Sequence, residues 1–170
     1  MRALLRTLIA LTLLTSGGAA VAQGAALQPA GPPEIVAAAS TCLAAAKPGS
    51  VDAAALTARG WAKGEASDGS GKAVKLPFDA FSRKDGKVVI VVAAADGNGM
   101  CSVVARIDRV ETASAVANAL SAEFKVKPFQ VDKEGIIWFA DGRLVQLAAT
   151  GDRSKPSVRI SVMQQVEKAK

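Results

Sequence analysis

The 170-residue chain contains no histidine and no tyrosine, and only 4% of it is aromatic. Without histidine it can build no Ser-His-Asp triad, no Cys-His pair, no histidine-bearing zinc site and no histidine general base. Cysteine occurs twice, at Cys42 and Cys101, with no Cys-x-x-Cys. A thiol has no nearby histidine to activate it, so redox chemistry gives way to a structural bond. No stretch holds 18 successive apolar residues, so no helix is expected to stay in a membrane. Neither Asn98 nor Asn118 lies in an Asn-x-Ser/Thr sequon.

What is present begins with an export signal. Arg2 and Arg6 precede an apolar run from Leu8 to Leu14, and small residues end at Ala20-Val21-Ala22, the three parts of a secretory leader. Residues 1–22 are therefore expected to be removed, and the mature chain to begin at Gln23. No cysteine precedes Cys42, so the new N-terminus offers no acceptor for a lipid. Losing Arg2 and Arg6 from 21 basic residues against 15 acidic ones leaves a net charge of +4. The tightest basic cluster, Arg83, Lys84 and Lys87, surrounds Asp85-Gly86. That is a solvated hairpin turn and not a nucleic-acid stripe. With half of the residues hydrophobic and 21% charged, the chain reads as one folded domain in the periplasm or outside the cell, consistent with a bacterial envelope protein.

In an oxidising compartment two cysteines allow one intramolecular disulfide, Cys42 with Cys101. Residues 23–33 carry three prolines and two glycines and read as a flexible tether ahead of a domain over 34–170. Pro33 suits a first helical turn, after which Ile35, Val36, Ala39, Cys42, Leu43 and Ala46 recur at helical spacing until Pro48-Gly49. Ser50 and Asp52 start a shorter helix that Gly60 closes.

From Trp61 the period turns toward two. After a Gly-Ser loop at 64–72, Val74, Leu76, Phe78 and Ala80 alternate with Lys75, Pro77, Asp79 and Phe81, and the proline favours an edge. Residues 87–95 form a Val/Ile/Ala run suited to a sheet interior, followed by a turn at Asp96-Gly97-Asn98-Gly99. The next strand places Cys101, Val103, Ala105 and Ile107 on one face and Met100, Ser102, Val104 and Arg106 on the other. Cys101 thus shares the core face, and the disulfide should pin the first helix to the sheet. Asp108 and Glu111 are spaced as a capping box for a helix to Phe124 with a stripe of Val110, Ala113, Ala117, Leu120 and Phe124. Strands are expected at 129–132, 136–140, 143–150 and 158–163, with Asp141-Gly142 the strongest hairpin signal. No internal repeat stands out. The order predicts an α+β fold: a mainly antiparallel sheet with helices packed on one face and one disulfide.

Motifs for chemistry are broken. Asp68-Gly69-Ser70-Gly71-Lys72 lacks the first glycine and the final Ser/Thr of a phosphate loop, since Ala66 and Ala73 stand there. Asp96-x-Asn98 starts like a calcium loop but continues with Met100 and Cys101 in place of an oxygen ligand and a glycine. No serine has a lysine three residues on. Carboxylate pairs drawn from Asp79, Asp85, Asp132, Glu134 and Asp141 fall mostly in turns, where Asp serves the backbone.

One feature stands above this background. If Trp138 faces the core with Ile136, Val145 and Leu147, then Ile137, Phe139 and Leu144 point the other way, beside Met100, Val104 and Met163. Helices cover only one face, so loops, a folded-over sheet or a partner must cover these six. The reading is an exported, non-enzymatic binding protein that uses this apolar face for an envelope protein or a second copy of itself. It has no metal, organic cofactor or nucleic-acid partner, and no stable membrane insertion after signal cleavage. The alternative is a histidine-free hydrolase with a Ser-Lys or carboxylate site.

Overall fold

A computed structural model describes residues 27–65, 72–93 and 99–164. The expected leader, residues 66–71 of the Gly-Ser loop and the Asp96–Asn98 turn lie outside them. Helix α1 (Pro32–Ala45) starts with proline in its first turn, where the missing N–H costs nothing. The Gly31 N–H donates to Glu34 Oε2 at 3.1 Å. Ordered packing begins earlier than the expected tether allows. Ala30 is buried, and its N–H donates to the Arg106 carbonyl at 2.8 Å.

Pro48-Gly49 does more than end the helix. It turns a two-stranded hairpin, β1 (Ala46–Lys47) with β2 (Ser50–Val51). Helix α2 (Ala53–Ala58) follows, and the Asp52 carboxylate accepts from the Ala55 N–H at 3.0 Å, as an N-cap should. Then come β3 (Ala62–Lys63), β4 (Phe78–Ser82), β5 (Val88–Ala93), β6 (Cys101–Arg106), α3 (Thr112–Phe124), β7 (Gln130–Asp132), β8 (Gly135–Ala140), β9 (Arg143–Thr150) and β10 (Ser157–Gln164).

The fold is α+β, with one disulfide. Strands β3 to β10 form a single eight-stranded sheet in the order β3-β4-β5-β6-β10-β9-β8-β7. Every pairing in it is antiparallel. The connectivity repeats: a helix and a four-strand meander, then again a helix and a four-strand meander, with the last strands of the two meanders, β6 and β10, side by side. No such repeat is visible in the residues.

The core lies between the helices and one face of the sheet. Across that face, Val92, Cys101, Val162, Val145 and Trp138 stand in one row by register, all buried. Next to it run Phe81, Ile90, Val103, Ile160 and Leu147, also buried. From above, α1 contributes Ile35, Ala38, Ala39 and Cys42, and α3 contributes Val116, Ala117 and Leu120. Cys42 and Cys101 are bonded, with Cα atoms 5.7 Å apart, so α1 is fastened to a central strand.

Two expectations fail here. The alternation at 74–80 is read in the wrong phase. Phe81 is the buried residue, while Val74, Leu76 and Phe78 are exposed, because the strand starts only at Phe78, after Pro77, and its register sets Phe81 against Ile90. Pro77 therefore removes no ladder bond, and β4 is flanked by the short β3. In α3 the Asp108/Glu111 capping box does not form. Asp108 accepts from the Thr112 hydroxyl, Glu111 is already in helical geometry, and Val110 lies exposed before the helix. The rest of the expected stripe holds, with Ala117 and Leu120 buried and Ala113 and Phe124 half-buried against the core, and Val116 joins it.

Candidate binding face

Strand alternation sends every second side chain to the face that carries none of the described helices. At one end of that face an apolar row crosses six strands: Phe78, Ala93, Met100, Met163, Leu144 and Phe139. Phe78 pairs with Ala93, Met163 with Leu144 and Leu144 with Phe139. The Ala93 N–H donates to the Met100 carbonyl at 3.3 Å. At ~4.8 Å per strand the row is about 24 Å long. Phe78 is 38% exposed, Met100 41% and Phe139 45%, values a covered sheet face would not give.

Two residues further along each strand, roughly 6.8 Å away, the row changes character. Its centre is Ser102 opposite Ser161, both buried between larger neighbours, with their hydroxyls 3.3 Å apart. Val91, Gln146 and Ile137 extend this row to either side. Beyond it lie Val104 and Arg159, directly opposite each other, then Arg106 opposite Ser157. Arg106 and Arg159 are diagonal neighbours on adjacent strands, about 7–8 Å apart at such spacing. Neither side chain bonds to another described residue, and the Arg106 Nε is buried without a partner.

The six candidate residues thus share one face, but not one cluster. Met100, Met163, Leu144 and Phe139 are contiguous. Val104 stands two rows off beside Arg159, and Ile137 sits in the middle row. Sequence reasoning missed Phe78 and Ala93, which complete the apolar row, and the arginine pair at the other end. Among the described residues of β4, β5, β6, β8, β9 and β10, no aspartate, glutamate or lysine points outward by alternation, and the only charges are the two arginines. Asp132 on edge strand β7 lies three strands from Arg159. Its carboxyl is held below the usual range first by the Gln130 amide and then by the Glu134 N–H.

The helix side holds a groove of about 350 Å³ lined by Ser40, Leu43, Glu123, Phe124, Asp141 and Arg143 among others. Two of its polar side chains are already engaged, although the Arg143 Nε is buried without a partner. Ser40 donates to Glu123 at 2.9 Å, and Arg143 donates to the Ala46 carbonyl at 2.6 Å. A Ser-Lys site would need a serine beside a buried lysine, and no lysine among the described residues is buried. Of the carboxylates named above, Asp79 pairs with Lys63 at 2.8 Å, while Asp132 is tuned away from the raised pKa of a general acid. Among the described residues no three acidic or cysteine side chains gather as a metal site would need, and no helix is long and apolar enough to cross a membrane. No family model matches this chain, and no curated protein or solved structure matches it.

Proposed function

We propose that this chain is an exported protein, periplasmic or secreted, that works by binding a macromolecule through the face of its sheet that carries none of the described helices. The observation that carries the reading is the exposed apolar row from Phe78 to Phe139, on a sheet whose other face already has its layer of helices. Contiguous apolar surface of this kind is a liability unless something covers it. Export is supported by the leader pattern of residues 1–22 and by the disulfide, since such bonds persist in oxidising compartments.

Two measurements test it. Mass spectrometry of the chain from its own cells should find an N-terminus at Gln23, and an intact Met1 in the envelope fraction removes the export reading. A photo-crosslinking residue placed at Met100 or Phe139 should yield a covalent adduct in those cells, whereas one placed at Lys84, on the exposed turn before β5, should not. Absence of adducts from both face positions overturns the binding face.

A further inference from the structure

Resting on that binding-face reading, we infer that the occupant of the face is an acidic, amphipathic protein surface. Its apolar ridge would lie along the Phe78–Phe139 row, and its carboxylates would reach Arg106 and Arg159.

Charge complementarity selects the acid. Two guanidinium groups stand as diagonal neighbours, with no outward carboxylate on the six strands that form the face and no bond to another described residue. Like charges placed so close on a sheet repel, and a partner carboxylate would relieve that repulsion while accepting hydrogen bonds from the guanidinium forks. Met163 and Arg159 are four residues apart on β10, so the apolar and acidic parts of the partner must be separated by about 13 Å.

The same residues decide against other occupants. A second copy would bring two more arginines against one described carboxylate, Asp132 on edge strand β7, whose two oxygens already accept from the Gln130 amide and the Glu134 N–H. The face is about 24 Å by 20 Å, on the order of 500 Å² in projection, which is below what each partner of a standard stable interface buries. Against a membrane surface stands the absence of outward lysine among the described residues of these strands. On the described residues of these six strands, phenylalanine, methionine and arginine with neither lysine nor acid is the composition of a protein interface.

The test is a display library of random peptides about 16 residues long, the helix length that spans ~24 Å, selected on the immobilised exported chain. The recovered peptides should be net negative with apolar residues at helical spacing. Phe139→Ser and Arg159→Glu should each weaken them about tenfold or more, as loss of an anchor or a charge partner does. Exchanging the peptide acids for lysine should restore binding to Arg159→Glu and abolish it on the unaltered chain. Melting curves of both variants confirm that each is folded. Peptides that require Phe139 but are basic or uncharged and ignore Arg159→Glu overturn the acidic partner and leave the binding face standing. So does a chain that sediments as a dimer until Phe139→Ser disperses it, or one that floats with phosphatidylglycerol vesicles in a Phe139-dependent way. Peptides indifferent to both substitutions, or none recovered, overturn both readings.

Discussion

The indole nitrogen of Trp138 donates to the hydroxyl of Ser121 at 2.9 Å, and that hydroxyl donates in turn to the Ala117 carbonyl one turn earlier on α3. The largest fully buried side chain of the sheet is thus both packed under a helix and hydrogen-bonded to it, so that its polar edge is not left unsatisfied. Its sequence neighbour Phe139 points to the opposite face and is 45% exposed.

The pair separates core from surface. Trp138→Ala should cost about 3–5 kcal/mol, because it opens a cavity beneath α3, and Trp138→Phe should lose about 1 kcal/mol for the hydrogen bond in addition to its smaller loss of packing. Phe139→Ser should stay below about 1 kcal/mol, the range of a surface change. Guanidinium melts of the three variants decide. Equal large losses at 138 and 139 would show that both faces are internal.

Cys42 and Cys101 are fully buried and close a loop of 59 residues in sequence separation. In the chain-entropy treatment, opening it costs about 4 kcal/mol. Cys101→Ser should therefore lower the melting temperature sharply, and the remaining Cys42 thiol should resist alkylation until the protein unfolds. Rapid labelling of both thiols in the native, unreduced protein would contradict the crosslink.

Gly135 and Gly142 predict a contrast within one hairpin. Both have positive φ, +138° and +73°, but a Cβ at Gly135 would stand 2.3 Å from the Leu147 carbonyl oxygen, whereas one at Gly142 would meet nothing within 4 Å. Gly142→Ala should cost about 1–2 kcal/mol for the left-handed backbone alone. Gly135→Ala adds a clash with the backbone of β9 and should cost more than about 2 kcal/mol. Thermal melts showing the reverse order would refute the register of β8 on β9.

Glu34 and Lys87 tie the start of α1 to the start of β5 at 2.9 Å. The Lys87 hydrogen bond is the main reason that the Glu34 carboxyl lies below its ordinary 4.5. The same bond raises Lys87 above its ordinary 10.5. The carboxylate's contribution is present above its unfolded value and is lost as pH falls through the lower folded one. The ammonium's is present below its unfolded value and is lost as pH rises through the higher folded one. The melting temperature of Glu34→Gln should therefore lie slightly below that of the unaltered chain between about pH 5 and 10, with the gap closing in stronger acid or base and in high salt. A gap unchanged in strong acid would mean that the ion pair contributes nothing.

Much of this architecture can be read from the residues. The Asp141-Gly142 turn, with φ of 48° and 73°, closes a two-residue hairpin that pairs Ala140 with Arg143, and from it follow Trp138 opposite Val145 and Phe139 opposite Leu144. The buried parity of Cys101 followed from alternation in the same way. Applied to the Asp85-Gly86 turn, this logic also pairs Phe81 with Ile90. The misreading of β4 came from trusting Val74 and Leu76, which precede the strand. Strands β1, β2 and β3 have two residues each, too few for any period to appear. Arg106 and Arg159 look like ordinary solvated strand positions, and only the pairing of β6 with β10, a long-range contact without a local signal, makes them neighbours.

That pairing also orders events in time. Among the described strands the two meanders pair only through β6 and β10, so a growing polypeptide has no complete sheet centre until β10 is available. Contacts of such sequence separation form late and slowly, and until they form both halves present open strand edges. The two halves of the sheet can therefore join only once β10 has been made. A version truncated before Ser157 would not be a smaller copy of this fold but two unjoined half-sheets prone to aggregate.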